Sequence, residues 1–214
     1  MENFYAADII RIVKSISEIM LDEKEYLFEL DSDLGDGDLG LTMCKGFTKA
    51  LESIENVSDP DIGKVLSLVG NSIALNAPST MGTLLATGFI KSSKALMGKQ
   101  KMNIEDLAQM FTSFTESIIA IGKSKPGDKT VIDSLYPAAQ ALQKAADNNE
   151  DLKRGIVEAY QAALDGAEKA KNMVSQHGKA ACFGVQTLGK HDPGAIVGTF
   201  ILKGFLIGIG NDEI

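Results

Sequence analysis

Residues 107–121, LAQMFTSFTESIIAI, carry the pattern that decides the fold class. Their large apolar residues recur three and four positions apart, which places them along one face of an α-helix. The alternation that is typical of a β-strand is nearly absent, and residues 181–188 are the only ambiguous stretch. The sequence therefore predicts an all-α protein. The same helical spacing recurs within residues 9–20, 43–54, 62–73 and 156–167.

Capping and turn residues divide this pattern into about eight helices. Asn103 and Asp192 are predicted N-caps, with Pro193 in a first turn, and Ser58-Asp59-Pro60 indicates a further helix start. Because short loops join consecutive helices, we expect an up-and-down antiparallel arrangement in one domain that covers residues 1–214. Loops are expected near residues 31–38, 55–59, 76–80, 99–103, 124–129, 147–151 and 178–192.

The composition restricts the classes of partner. Binding to nucleic acid or to an anionic membrane calls for a basic face, so with 21 Lys+Arg against 29 Asp+Glu and a net charge of −8 we expect neither partner. Residues 195–209 are too short to span a bilayer and predict a buried terminal helix. The N-terminal residues do not resemble a secretory leader, and Cys44 and Cys182 give no disulfide framework. We therefore expect a cytoplasmic protein with both cysteines buried.

Residues 29–40, ELDSDLGDGDLG, hold four aspartates and three glycines. Carboxylates this close together repel one another unless a cation compensates their charge. The glycines let the backbone turn so that several oxygen atoms converge. Hard oxygen ligands of this kind suit Mg²⁺ or Ca²⁺ rather than Zn²⁺. The loop therefore predicts a site for a divalent cation.

Other interpretations of the acidic loop exist. The spacing Gly35-x-Gly37-x-x-Gly40 matches a dinucleotide-binding fingerprint, but that motif follows a β-strand, whereas a helix is expected before this loop. An EF-hand loop counted from Asp31 needs an acid at its twelfth position, which is Thr42 here. A solvated Asp/Gly turn that caps the next helix stays open as an alternative on the loop alone.

Three segments taken together resemble the L-subunit family of dihydroxyacetone kinases. The acidic loop LDSDLGDGDLG (30–40) is similar to the family's LDxxxGDxDHG, and PGDKTVIDSLYPA (126–138) is similar to its PGDKTMxDxxxP. The third segment, from GKA (178–180) to DPGA (192–195), is similar to GRASYLGERSIGHxDPGA. They come in the family's order and at its spacing, and together with the length they cover nearly the whole chain.

The resemblance implies a closed barrel of eight antiparallel helices with ADP or ATP and two Mg²⁺ at one end. It assigns the metals to Asp31, Asp36 and Asp38, whereas Asp33 lies at a variable position and is left out. It also implies transfer of a phosphoryl group to dihydroxyacetone, or a similar short ketose, held on a separate K subunit. In the version linked to the phosphotransferase system, an M protein rephosphorylates bound ADP. A homodimer is left open.

The resemblance further implies nucleotide contacts, several of which are altered in this chain. Leu39 replaces a histidine, Thr42 an asparagine, Ala77 a serine and Lys179 an arginine. A lysine keeps the charge of an arginine but not its two-pronged hydrogen bonding. Ser79 and Thr80 lie close enough in sequence to replace Ala77. The other expected contacts are Gly40, Gly122, Val131, Asp192, Pro193 and Gly194.

Residues beside these motifs are given ordinary roles. His177 and His191 are expected to be solvated loop residues, and Met43 and Met81 to fill the core rather than flank adenine. The helix that opens at Gly82-Thr83 offers free amide groups to a phosphate. Three hypotheses follow: a working L subunit, a non-catalytic nucleotide- or phosphate-binding paralogue that regulates or docks, and a helical scaffold with an accidental acidic turn.

Overall fold

The computed structural model of the chain describes residues 3–210, most of which lie in α-helices. The two short strands, β1 (Phe4–Tyr5) and β2 (Lys101–Met102), form an antiparallel pair in which Phe4 faces Met102. The α-helices are α1 (Ala6–Asp22), α2 (Lys24–Leu34), α3 (Leu39–Ile54), α4 (Ile62–Asn76), α5 (Thr80–Ala95), α6 (Ile104–Gly122), α7 (Ile132–Asp147), α8 (Leu152–Ala170) and α9 (Pro193–Gly208).

Neighbouring helices pack in chain order. Each helix from α3 to α8 packs against the next, α1 packs against α3, and α9 packs against α1, so these contacts lead from the first helix back to it. Gly63 of α4 lies against Met97 and Gly70 against Ile90 of α5, so the two helices run in opposite directions. The prediction of an all-α, up-and-down antiparallel fold is confirmed.

The core fills the space between these helices. A row of aromatic contacts crosses it from Phe47 of α3 through Phe89 and Phe114 to Phe111 and Phe205 of α9, with ring centroids 5.0–6.3 Å apart. Helix α9 is buried on nearly every face, as predicted for the apolar run near the C-terminus. Within the described residues, no helix combines the length and the apolar character that crossing a membrane requires.

Several predicted boundaries are wrong. The first predicted helix breaks at Glu23, where Gly40 of α3 lies against the Lys24 carbonyl and α2 turns to pack on α3. Helix α2 then continues to Leu34, so Asp31 and Asp33 of the acidic loop lie on the last turn of this helix. Residues 179–187, which lie in the predicted loop 178–192 and include most of the ambiguous stretch, form a 3₁₀-helix.

The start of α4 also differs from the prediction at Ser58-Asp59-Pro60. Asp61 is the N-cap, because its side chain accepts hydrogen bonds from the Lys64 amide at 3.1 Å and the Gly98 amide at 3.0 Å. The predicted caps at Asn103 and Asp192 are both present. In the apolar pattern of residues 107–121, Ile121 is 48% exposed, so the buried face of α6 ends one turn earlier than the spacing predicts.

The contact between α1 and α9 depends on glycine. A Cβ atom placed on Gly204 would lie 2.2 Å from Ile16 Cγ1 and 3.0 Å from the Ile16 Cα. We expect Gly204→Ala to lower the free energy of unfolding by about 2 kcal/mol in urea denaturation, because overpacking at this crossing forces the helices apart. Lys203→Ala, one position earlier on α9, should stay within about 0.5 kcal/mol of the wild type. Equal effects of the two changes would contradict this account.

Candidate functional site

A cavity of about 380 Å³ opens where the acidic loop meets the ends of several helices. Its walls come from segments far apart in sequence, which the antiparallel helices bring to one end of the molecule. One wall is the acidic loop with the first turn of α3, and a second is the start of α5. The others are residues 129–131, residues 177–180 and residues 192–194.

The acidic loop turns three carboxylates toward a common centre. Asp31, Asp36 and Asp38 each offer a carboxylate oxygen, and these atoms lie within 4.8 Å of one another. Asp31 is oriented by the Asp38 and Leu39 amides, which donate to its Oδ2 atom at 3.0 and 3.2 Å. The turn at Gly37 has a φ of +72°, which favours glycine. Converging hard oxygens of this kind fit a divalent cation such as Mg²⁺.

Two lysines from residues 178–192 lie against the acidic loop. The Lys179 ammonium contacts Asp36 Oδ2, and Lys190 Nζ lies 3.4 Å from Asp33 Oδ2. Asp33 therefore faces Lys190, whereas Asp36 of the carboxylate cluster faces Lys179. The arrangement separates Asp33 from the cluster of Asp31, Asp36 and Asp38.

Buried carboxylates fix the turn of the PGDKT segment, whose Lys129 and Thr130 line the cavity. Asp128 accepts a hydrogen bond from the Lys125 amide at 2.9 Å and lies 2.9 Å from His177 Nε2. Burial raises the pKa of Asp128, but the hydrogen bonds from Lys125 and His177 outweigh it and hold that pKa below its ordinary value. Asp133 fixes the same turn by accepting from the Gly127 and Thr130 amides at 2.6 and 2.7 Å.

Neither histidine is the solvated loop residue that the sequence predicts. His177 is tied to Asp128 and lines the cavity. His191 is half-buried, with its Nε2 atom 3.9 Å from Glu168. Burial and the nearby Lys171 charge lower the pKa of His191, and Glu168 acts in the opposite direction. Both side chains are thus only partly exposed, at 34% and 29%, and each lies near a carboxylate from a distant part of the sequence.

Asp192 caps α9 at the floor of the cavity. Its side chain accepts a hydrogen bond from the Ala195 amide at 2.7 Å. Burial raises the pKa of Asp192 to about 7; the Ala195 amide opposes this, and the neighbouring Asp133 charge adds to it. A carboxyl group that titrates near neutrality therefore lies in the wall of the candidate site.

Lys129 is the residue that sequence reasoning missed. It lines the cavity, yet its side chain is 1% exposed and its Nζ atom donates to backbone carbonyls. Its only sequence signal is its place in the PGDKT segment, between Asp128 and Thr130. Neither helical spacing nor composition marks a lysine as buried, since lysine is mostly found at the surface.

Most of the expected nucleotide contacts line the cavity, and four do not. Ala77 is buried, and Gly82 packs against its carbonyl. Gly40 contacts the Lys24 carbonyl instead. Thr42 and Gly122 also lie outside the cavity lining. The expected residues that do line it are Leu39, Ser79, Thr80, Val131, Lys179, Asp192, Pro193 and Gly194, together with the three aspartates.

The start of α5 corrects one further expectation. The helix begins at Thr80, and the Ser79 side chain caps it by accepting from the Gly82 amide at 3.0 Å. The Gly82 amide is therefore not free to bind a phosphate. Met81 lines the cavity, whereas Met43 is buried in the core as predicted. The cysteines are not buried as predicted, because Cys44 is half-buried and Cys182 is exposed.

Solved structures similar to this chain share its fold. The dihydroxyacetone kinase of C. freundii in its native form superimposes with a TM-score of 0.71 at 23% identity, over 93% of this chain and 34% of that chain. The same enzyme in complex with AMP-PNP and Mg²⁺ superimposes with a TM-score of 0.70 at 23% identity. This chain thus spans about a third of the length of that kinase.

Sequence comparison extends the likeness to curated proteins. This chain is 31% identical over 195 residues to the ADP-binding subunit DhaL of the PEP-dependent dihydroxyacetone kinase of Escherichia coli, covering 91% of this chain and 93% of the relative. The corresponding subunit of kinase 2 of Listeria innocua is 29% identical over 191 residues, or 86% of each chain. Residues 33–206 match the model of the DAK2 domain. The chain therefore belongs to the DAK2 domain family.

Proposed function

We propose that this chain is the nucleotide-binding L subunit of a dihydroxyacetone kinase. It holds ADP or ATP with Mg²⁺ in the cavity and passes a phosphoryl group to dihydroxyacetone, or a similar short ketose, bound on a separate K subunit. The observation that carries the proposal is the convergence of Asp31, Asp36 and Asp38 within 4.8 Å, in a cavity that the other two family-like segments complete. The names of the DhaL relatives support it.

The acidic cluster supplies the metal ligands in this proposal. Asp31, Asp36 and Asp38 would hold two Mg²⁺, which changes the local formal charge from negative to about +1 and makes the loop attractive to a diphosphate. When bound, Mg²⁺ neutralises phosphate charge in the loose transition state of phosphoryl transfer. Orientation of Asp31 by two backbone amides prepares the cluster before the metal arrives.

The remaining walls provide the chemistry that a nucleotide needs. Lys179 places a positive charge beside the cluster, where the phosphates would lie. Leu34, Met81 and Leu84 give the cavity an apolar side against which a base can pack. The substrate hydroxyl would approach from the open side, so no general base from this chain is required. The alterations at Leu39, Thr42 and Ala77 leave these elements in place.

The rim of the cavity suits a protein partner. Phe183, Val185 and Leu188 project from the segment beside Lys179, and Val185 is 72% exposed. We assign this apolar rim to the K subunit, and the M protein of the phosphotransferase system is the proposed phosphoryl donor to bound ADP. We further propose one domain over residues 1–214, a cytoplasmic location and no binding to nucleic acid or membrane, on the net charge of −8 and the two free cysteines.

Reconstitution tests the proposal. The purified chain is assayed for bound ADP and for Mg-ADP binding by calorimetry, and is then combined with a K subunit, dihydroxyacetone and either ATP or a PEP-driven M protein. Formation of dihydroxyacetone phosphate is the expected result. Tight Mg-ADP binding without product, with a K subunit shown to bind this chain, would favour the regulatory or docking paralogue. Absence of both binding and product would reject the proposal in favour of a scaffold.

A further inference from the structure

A buried ammonium group connects two walls of the cavity. Lys129 follows Asp128 in the PGDKT segment, and its side chain passes under the segment from Met173 to Lys190. Its Nζ atom donates to the carbonyl oxygens of Met173 at 3.3 Å, Thr187 at 2.5 Å and Lys190 at 2.8 Å. The acceptors lie 44, 58 and 61 positions away in sequence, so this one side chain joins distant parts of the chain.

The three acceptors define the chemical state of Lys129. An ammonium group has three N–H donors and no lone pair, so three carbonyl oxygens use it completely. Burial lowers the pKa of Lys129 and the Asp192 charge opposes that effect, but a neutral amine would leave one carbonyl without its donor. Lys129 therefore acts as a fixed cation, and it has no lone pair with which to act as a base or nucleophile.

The segment that Lys129 holds carries part of the candidate site. We call residues 173–190 the cap segment, since it presents His177, Gly178, Lys179 and Ala180 to the cavity. Its ends are also joined by the Ser175 amide, which donates to Thr187 Oγ1 at 3.1 Å. The carbonyl groups that accept from the Lys129 ammonium lie at both ends of the cap segment, so the ammonium closes this segment into a loop.

Lys129 itself belongs to the wall formed by residues 129–131. Its backbone has a φ of +60°, and Thr130 and Val131, which follow it, line the cavity with it. Movement of the cap segment away from this wall would leave the three carbonyls or the ammonium without partners, and burial makes such a loss costly. Two further contacts join the same walls, since the Gln176 amide donates to the Asp128 carbonyl at 3.0 Å and His177 Nε2 lies 2.9 Å from Asp128 Oδ2. Lys129 is the contact that reaches both ends of the cap segment.

We propose that Lys129 is a positioning residue for the nucleotide, whose ammonium holds the cap segment against residues 129–131 so that Lys179 faces the acidic cluster. The proposal rests on the proposed nucleotide site and adds a residue that does not itself contact the phosphates. It predicts that loss of the charge at Lys129 weakens nucleotide binding by releasing the cap segment, with the helices left intact.

The first experiment compares Lys129→Met with Lys125→Met. Both changes remove one positive charge from the same turn, but Lys125 is exposed. For Lys129→Met we expect at least about tenfold weaker Mg-ADP binding by calorimetry and at least about tenfold faster hydrogen exchange in residues 173–190. Lys125→Met should stay within about twofold on both measures. Wild-type affinity and wild-type exchange in Lys129→Met would overturn the proposal.

Chemical rescue separates positioning by charge from simple packing. Lys129→Ala removes a propylammonium-sized group, so added n-propylammonium should restore most of the lost Mg-ADP affinity, whereas n-propanol of the same length should not. Equal rescue by both, or by neither, would overturn the proposal. If Lys129→Met fails to fold, refolding Lys129→Ala with each additive decides in the same way.

Failure of the proposed function has a different signature. In that case the wild type itself does not bind Mg-ADP, and hydrogen exchange in residues 173–190 alone tests whether Lys129 holds the cap segment. Faster exchange in Lys129→Met would then retain the positioning role, and unchanged exchange would remove it.

Discussion

On the proposed function, we expect Asp38→Asn to weaken Mg-ADP binding by about 100-fold, about 2.7 kcal/mol, and Asp33→Asn to leave it within about twofold. Both aspartates lie in the same loop, but only Asp38 belongs to the cluster whose oxygens lie within 4.8 Å of one another. Removing one of the three charges that would face a bound Mg²⁺ loses direct attraction. Asp33 faces Lys190 instead, so its neutralisation changes the charge of the loop but not the ligand set.

Neither substitution should disturb the fold of the acidic loop. No hydrogen bond from the described residues reaches the Asp38 carboxylate, and its structural contact is made by the backbone amide, which donates to Asp31. Asp36 is a poorer choice because Lys179 contacts its carboxylate. Calorimetry with Mg-ADP and with ADP alone is the measurement. Equal losses in the two variants would show that only the total charge of the loop matters.

We expect the stability of the Asp192→Asn variant to depend less on pH between about 4 and 8 than that of the wild type. Burial raises the pKa of Asp192 to about 7, whereas an unfolded aspartate titrates near 3.9. The native carboxyl thus keeps its proton where the unfolded one has lost it. This contribution to stability is complete below about pH 4 and is lost as the pH rises through about 7, by about 4 kcal/mol in all.

The variant isolates this titration. Asparagine caps helices about as well as aspartate, so α9 should still begin at Pro193. Urea denaturation at pH 4 and pH 8 should show the stability of the wild type falling relative to Asp192→Asn by about 4 kcal/mol, or roughly 10 °C in Tm. The comparison at pH 4, where both side chains are neutral, is the internal control. A difference that is independent of pH would contradict the raised pKa.

Local patterns account for much of the fold. The apolar spacing of residues 107–118 and the caps at Asn103 and Asp192 depend on neighbours within a few positions, so the helices could be predicted. The break at Glu23 could not, because the surrounding residues favour helix and the turn follows from packing of α2 on α3. Tertiary contact decided the boundary against local preference.

The candidate site also contains residues that local sequence predicts and residues that it does not. Asp31, Asp36 and Asp38 lie within eight residues of one another, so their convergence was foreseeable from charge repulsion and glycine turns. Lys129 depends on carbonyl groups more than 40 positions away, and no local pattern reports them. Ala77 could not be placed from the sequence either. Its alignment with a serine of the family implies a contact with the nucleotide, but Ala77 packs closely against Gly82 instead.

The placement of the cavity walls has a consequence for biosynthesis. Residues from Asp31 to Gly194 meet there, and α9 must lie against α1 before residues 192–194 reach the acidic loop. A nascent chain on the ribosome therefore has its carboxylate cluster early and its complete pocket only once the α9 stretch has emerged from the exit tunnel. On the proposed function, nucleotide binding would stabilise the finished chain and not one that ends before residue 192.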